Sequence, residues 1–183
     1  MPAPALQFDQ HWDDPQTLLA QRGEGLNADW RALLGCEGSL TAALQAHYGA
    51  PVLVSLVGQV VMDDAAAEPA GVWDDALQLP FGARHLARDA WLNSPGHLRV
   101  FAHSQILLDG LDADTQAQIE QGVKPLGGLF LAQQASVRRT GLALALASAP
   151  QLGLDQPVWC RRSIFVVNEI PRARILELFA PLE

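Results

Sequence analysis

Hydrophobic positions in this chain come mostly as short, dense runs bounded by proline and glycine, a pattern that predicts strands more often than helices. Val52 to Met62 is rich in valine and leucine and reads as a first strand. Ala83 to Leu92 alternates. Leu86, Ala90 and Leu92 share one face, His85, Asp89 and Trp91 the other, and Arg88 is in phase with the apolar set. Asn93-Ser94-Pro95-Gly96 then forms a turn that folds this strand back onto His97 to Leu107. Ser136 to Ala147 alternates again, with Leu142, Leu144 and Leu146 on one face, and Val158 to Val167 follows after a loop. Beyond a turn at Pro171 lies the last run, Ile175 to Pro181, apolar at nearly every position except Glu177. So short and apolar a run reads as a strand buried on both faces.

Helical spacing is scarcer. Asn27 is placed to cap a helix through Leu34 that stops at Gly35. Gly38 or Ser39 starts a second, with Leu40, Leu44 and Tyr48 on one face, ending at Gly49-Ala50-Pro51. Asp112 can cap a third over Ala113 to Gln121, closed by Gly122. Residues 1–26, with Pro2, Pro4, Pro15 and two glycines, read as a loosely structured arm carrying at most a short helix near Gln16 to Ala20, and 27–183 as the domain proper. Asp63 to Pro80 reads as an acidic, alanine-containing surface connection. About six strands and three or four helices without a strand-helix-strand rhythm predict a single α+β domain built on an antiparallel sheet.

Composition narrows the partners. The 183 residues carry a net charge of -8 and a pI near 5.0, which argues against a general role on nucleic acid or an anionic membrane. Any anionic ligand must be met by local positive charge. Cys36 and Cys160 lie far apart, without zinc spacing or a CxxC pairing, and read as reduced thiols. His11, His47, His85, His97 and His103 show no metal-motif spacing, so no metal is expected. No run is long enough to span a bilayer and the start lacks a signal-peptide pattern, so a cytoplasmic protein is expected. The strand pattern is compatible with a monomer.

The chemistry concentrates on two charges. Glu177 sits inside a buried run and needs a cationic or hydrogen-bonding partner. Arg88 points inward by strand phase, and its planar fork suits a carboxylate supplied either by Glu177 or by an anionic ligand. A structural ion pair and a ligand site both satisfy this pattern. Lys124-Pro125-Leu126-Gly127-Gly128 could offer backbone amides to an anion, or serve as a plain connection. Arg138-Arg139 and Arg161-Arg162 each place consecutive arginines on opposite strand faces, so one of each pair is expected in solvent.

Several stretches together resemble the bacterial chorismate lyase family, also called chorismate pyruvate-lyase. They are Glu37-Gly38-Ser39-Leu40-Thr41, Arg88-Asp89-Ala90, Lys124-Pro125-Leu126-Gly127, Trp159-Cys160-Arg161-Arg162-Ser163 and Leu176-Glu177-Leu178-Phe179-Ala180-Pro181. Their order and spacing carry the likeness from about Asp29 to Pro181. The resemblance implies an enzyme that turns chorismate into 4-hydroxybenzoate and pyruvate, the entry step to the ubiquinone ring, with no metal or organic cofactor. It implies an antiparallel sheet bearing helices and a cavity closed from solvent by flaps. Its ligand-contacting arginine falls on Arg88 and its glutamate on Glu177, with further contacts on Leu40 and Leu126. Glu177 would be either the base for the ring C4 hydrogen or the partner of the 4-hydroxyl. The chain departs from the family at His103, Leu107 and Cys160, where arginine, proline and glycine are usual, and these departures bear on cavity polarity. Effector-binding domains of some bacterial transcription regulators are similar to this fold. A non-catalytic domain binding an aromatic carboxylate is therefore the alternative, and a paralogue acting on another cyclic carboxylate a third reading.

Overall fold

Among the described residues, four helices begin where a side chain replaces the missing intrahelical acceptor for the first amides. Asp14 accepts from Thr17 N to start α1 (Pro15–Arg22), Asn27 from Trp30 N for α2 (Ala28–Leu34), Ser39 from Ala42 N for α3 (Leu40–Tyr48), and Asp112 from Thr115 N for α4 (Ala113–Gln121). Gly35, Gly49 and Gly122 end the last three, as the sequence predicts. The computed structural model describes residues 1–63, 69–73, 84–94, 99–122, 124–126, 130 and 136–180. Gly127, Gly128, Pro95, Gly96, His97 and Pro181, together with parts of the acidic connection after Asp63, lie outside the described residues.

The strands are β1 (Gln7–Asp13), β2 (Leu53–Met62), β3 (His85–Asn93), β4 (Arg99–Leu107), β5 (Val137–Ala149), β6 (Leu154–Val167) and β7 (Ile170–Ala180). They form one antiparallel sheet in the order β1-β5-β6-β7-β4-β3-β2. The α+β architecture is therefore as expected, with seven strands among the described residues where about six were expected. The final strand is central, and its residues from Ala173 to Ala180 are buried. The segment expected as a loose arm contributes β1, which pairs with β5 at a sheet edge, and α1. The turn expected at Pro171 lies earlier. Asn168 and Glu169 adopt positive φ (47° and 65°), the twist a tight two-residue hairpin requires, and Pro171 is already inside β7.

Both faces of the sheet are covered. On the front, Leu33, Leu34, Leu40 and Leu44 from α2 and α3 pack on Leu92, Val100, Leu144 and Phe179. Ile119 of α4 joins Leu86, Ile106, Phe165 and Ile175. On the back, Ala3, Leu6, Phe8, Trp12, Val72 and Trp73 lie over Phe101, Ala145, Cys160, Leu176 and Leu178. Among the described residues no helix is long and apolar enough to cross a membrane.

Candidate active site

Strand alternation sends Glu177 to the front face, where it is only 2 % exposed. Its partners are two arginines, and Arg88 is not one of them. Arg161 lies directly opposite Glu177 in the β6–β7 register and donates from Nε to Oε2 at 2.5 Å. Arg139 donates from Nη2 to Oε1 at 2.9 Å. Burial alone would raise the Glu177 pKa, but the charges and hydrogen bonds of Arg139 and Arg161 outweigh it and hold the carboxyl below its ordinary value. Glu177 is thus a carboxylate with both oxygens already engaged.

The two arginines also reach the chain that leads into α3. Arg161 Nη1 donates to the carbonyls of Leu33, Leu34 and Cys36, at the C-terminal end of α2 where carbonyls lack helical partners. Arg139 donates from Nε to Gly38 O and from Nη1 to Ser163 Oγ, and its backbone N–H donates to Glu37 O. Ser39 caps the helix immediately afterwards, and Leu40 and Thr41 follow.

Arg88 stands elsewhere on the same face. It is buried, as its strand phase predicts, and donates from Nη2 to Gly122 O at 2.7 Å and from Nη1 to Lys124 O at 3.2 Å. It therefore ties down the chain after α4. Among the described residues its Nε has no hydrogen-bond partner. Burial lowers the Arg88 pKa from its ordinary value, yet a guanidinium remains a cation at neutral pH.

Arg88, Glu177, Leu40 and Leu126, the residues singled out from the sequence, all line one cavity with Arg139, Phe165 and Ile175. Arg88 and Glu177 are on strands separated by β4, about 10 Å apart across the sheet. Small side chains floor the space between them. Ala90 pairs with Ala102 and Ala102 with Glu177, while Arg88 pairs with Ser104. The free volume is about 50 Å³, well below the few hundred typical of a ligand pocket, so a substituted ring enters only if a wall moves. Among the described residues no group of three His, Cys, Asp or Glu could hold a metal ion.

Arg139, Arg161 and Ser163 are named from the sequence but not singled out there as site residues. Strict alternation along β5 puts Arg139 opposite in phase to Leu144, but the register slips between Thr140 and Ala143, where Gly141 has φ 61°. This bulge brings Arg139 and Leu144 to the same face. A glycine inside a strand pattern was the available signal. Arg138 is solvent-exposed and paired with Glu169, as expected for one of that pair. The expectation fails for Arg161-Arg162, because both faces of β6 are covered. Arg162 is buried on the back, where it donates to Val72 O and lies over Trp12.

The family departures also fall on the back. Ala102 and Ser104 line the front cavity, so His103, Leu107 and, on β6, Cys160 point away from it. His103 is paired through Nδ1 with Asp89 at 2.6 Å. Both cysteines are free thiols, and burial pushes Cys160 up to about 12, which leaves it inert.

Solved structures share this arrangement. The effector domain of PhnF from Mycobacterium smegmatis superposes with a TM-score of 0.53 at 17% identity, covering 78% of this chain and 88% of that one. PhnF itself, from the same organism, gives 0.51 at 13% identity over 98% and 88%. No curated protein sequence matches the chain. The sheet order and its helix-covered front face define an α+β domain with the fold of these effector domains. Residues 33–183 match the family described as chorismate pyruvate-lyase Rv2949c-like, and the chain belongs to that family.

Proposed function

We propose that this protein is a cofactor-independent lyase that converts chorismate to 4-hydroxybenzoate and pyruvate. The observation that carries the reading is the opposition of Arg88 and Glu177 across a floor of alanines in one cavity. A ring with a carboxylate at one end and a hydroxyl at the other spans that gap. Family membership supports chorismate as the substrate.

Arg88 Nε and the α3 amides near Leu40, with the chain at Leu126, meet the ring carboxylate, where a charge-assisted bond in a dry site is strongest. Glu177 accepts a hydrogen bond from the 4-hydroxyl. A carboxylate held between two guanidinium groups is a weak base, which favours this positioning role over removal of the C4 hydrogen. In the reaction the ether bond at ring C3 breaks, its electrons leave with the enolpyruvyl oxygen, and the C4 hydrogen departs as a proton. The leaving enolpyruvate gains a proton on carbon to become pyruvate. Aromatisation makes the sequence downhill, so holding the reactive conformer and stabilising the leaving oxygen suffices.

Incubating the purified protein with chorismate, without added metal, tests this: 4-hydroxybenzoate and pyruvate should appear in equal amounts. The fold likeness to the PhnF effector domain supports one other reading, a module that binds an aromatic carboxylate without transforming it. No product combined with tight 4-hydroxybenzoate binding would select that reading.

A further inference from the structure

Among the described residues, one cavity-lining side chain is bonded to both ends of the site. Arg139 donates to Gly38 O, the carbonyl before the Ser39 cap of α3, at 3.0 Å and to Glu177 Oε1 at 2.9 Å. Its backbone N–H donates to Glu37 O at 2.8 Å, and Ser163 Oγ accepts from Nη1 at 2.7 Å. The guanidinium also lies over the ring of Phe165, another wall residue, at 5.8 Å. Each of the three nitrogens of this rigid fork donates a hydrogen bond, and the side chain is buried. Arg139 thus ties Glu177 to the residue immediately before the α3 cap, while Arg161 ties it to the carbonyls at the end of α2.

We infer that Arg139 is a specificity-determining, positioning residue: it sets the length of the site and so selects rings whose hydroxyl lies para to the carboxylate. This rests on the proposed function, which puts the carboxylate at the α3 end and the hydroxyl at Glu177. A ring with a meta hydroxyl anchored at the same carboxylate cannot bring that hydroxyl to Glu177, and the engaged carboxylate cannot follow it. Lysine at 139 would keep the charge but not the fork. It cannot hold Gly38, Ser163 and Glu177 at once in fixed geometry.

The test measures equilibrium binding of 4-hydroxybenzoate, 3-hydroxybenzoate and benzoate to the wild type, Arg139→Lys and Ser163→Ala. The wild type should prefer the para over the meta isomer by about tenfold or more, the scale of one charge-assisted hydrogen bond. Arg139→Lys should bring that ratio close to one while benzoate, which lacks the hydroxyl, binds within about threefold of wild type. Ser163→Ala, which removes a single bond to the fork, should reduce the ratio partly, and decides the matter should the lysine variant not fold. A wild-type ratio retained in either variant overturns the inference and leaves the lyase reading standing. Equal weakening of all three ligands also overturns it, because that is the mark of a purely structural role. A wild type that binds none of the three overturns both.

Discussion

Arg161 and Glu177 face each other directly across neighbouring central strands, Nε to Oε2, with neither side chain reaching solvent. Such a pair is costly to build and costlier to halve. Removing one member leaves an uncompensated buried charge.

Replacing Arg161 with methionine should therefore destabilise the protein by about 3–5 kcal/mol. Urea unfolding would register this as a lower midpoint with an unchanged slope. An unaltered midpoint would show that the pair contributes nothing net.

Glu177→Gln tests the role of the carboxylate. As an acceptor for the substrate hydroxyl, its loss should weaken 4-hydroxybenzoate binding and lower kcat/KM by similar factors, about 10- to 100-fold for a charged hydrogen bond. A fall in kcat with product affinity intact would identify the glutamate as the base instead.

Acid should act through the same group. The Glu177 pKa is depressed in the folded chain from an ordinary value of 4.5. Its contribution to stability is thus complete above about pH 4.5 and lost as pH falls through the lower folded value. Wild type should lose stability in that window more steeply than Glu177→Gln, and parallel pH profiles of unfolding free energy would contradict this.

His103 gives a control on the opposite face. His103→Ala should cost about 1–3 kcal/mol, because Asp89 loses a buried partner, while 4-hydroxybenzoate affinity stays within about twofold. A large affinity loss would mean that the back of the sheet communicates with the cavity.

What could be read from the sequence was local. Asn27, Ser39 and Asp112 cap helices through chemistry contained in four residues, and Arg88 and Glu177 follow from alternation in strands whose rhythm is unbroken around them. The partners of Glu177 depend on breaks in that rhythm, at Gly141 in β5 and beside Pro171 in β7, and a break alters phase without changing composition. The edge strand β1 was hidden for a different reason: it is only half-buried, so its apolar signal at Phe8 and Trp12 is thin.

The irregularity beside Pro171 has a genetic consequence. Val166 pairs with Pro171 but Phe165 pairs with Ala173, so Arg172 is an extra residue in the hairpin. Proline has no amide to give to the ladder, which makes this a natural place for the surplus. Losing that one codon would only make Val166–Pro171 and Phe165–Ala173 consecutive pairs and leave Glu177 opposite Arg161. Losing a codon between Ala173 and Glu177 would instead slide everything beyond it by one position and turn Glu177 to the back of the sheet, among Trp73 and Phe101, while Leu178 met the arginines. Substitutions can adjust this site gradually. An insertion or deletion between Ala173 and Glu177 would abolish it in a single step, so the length of that stretch should vary far less among functioning descendants than the hairpin end at Arg172, where the surplus can be absorbed.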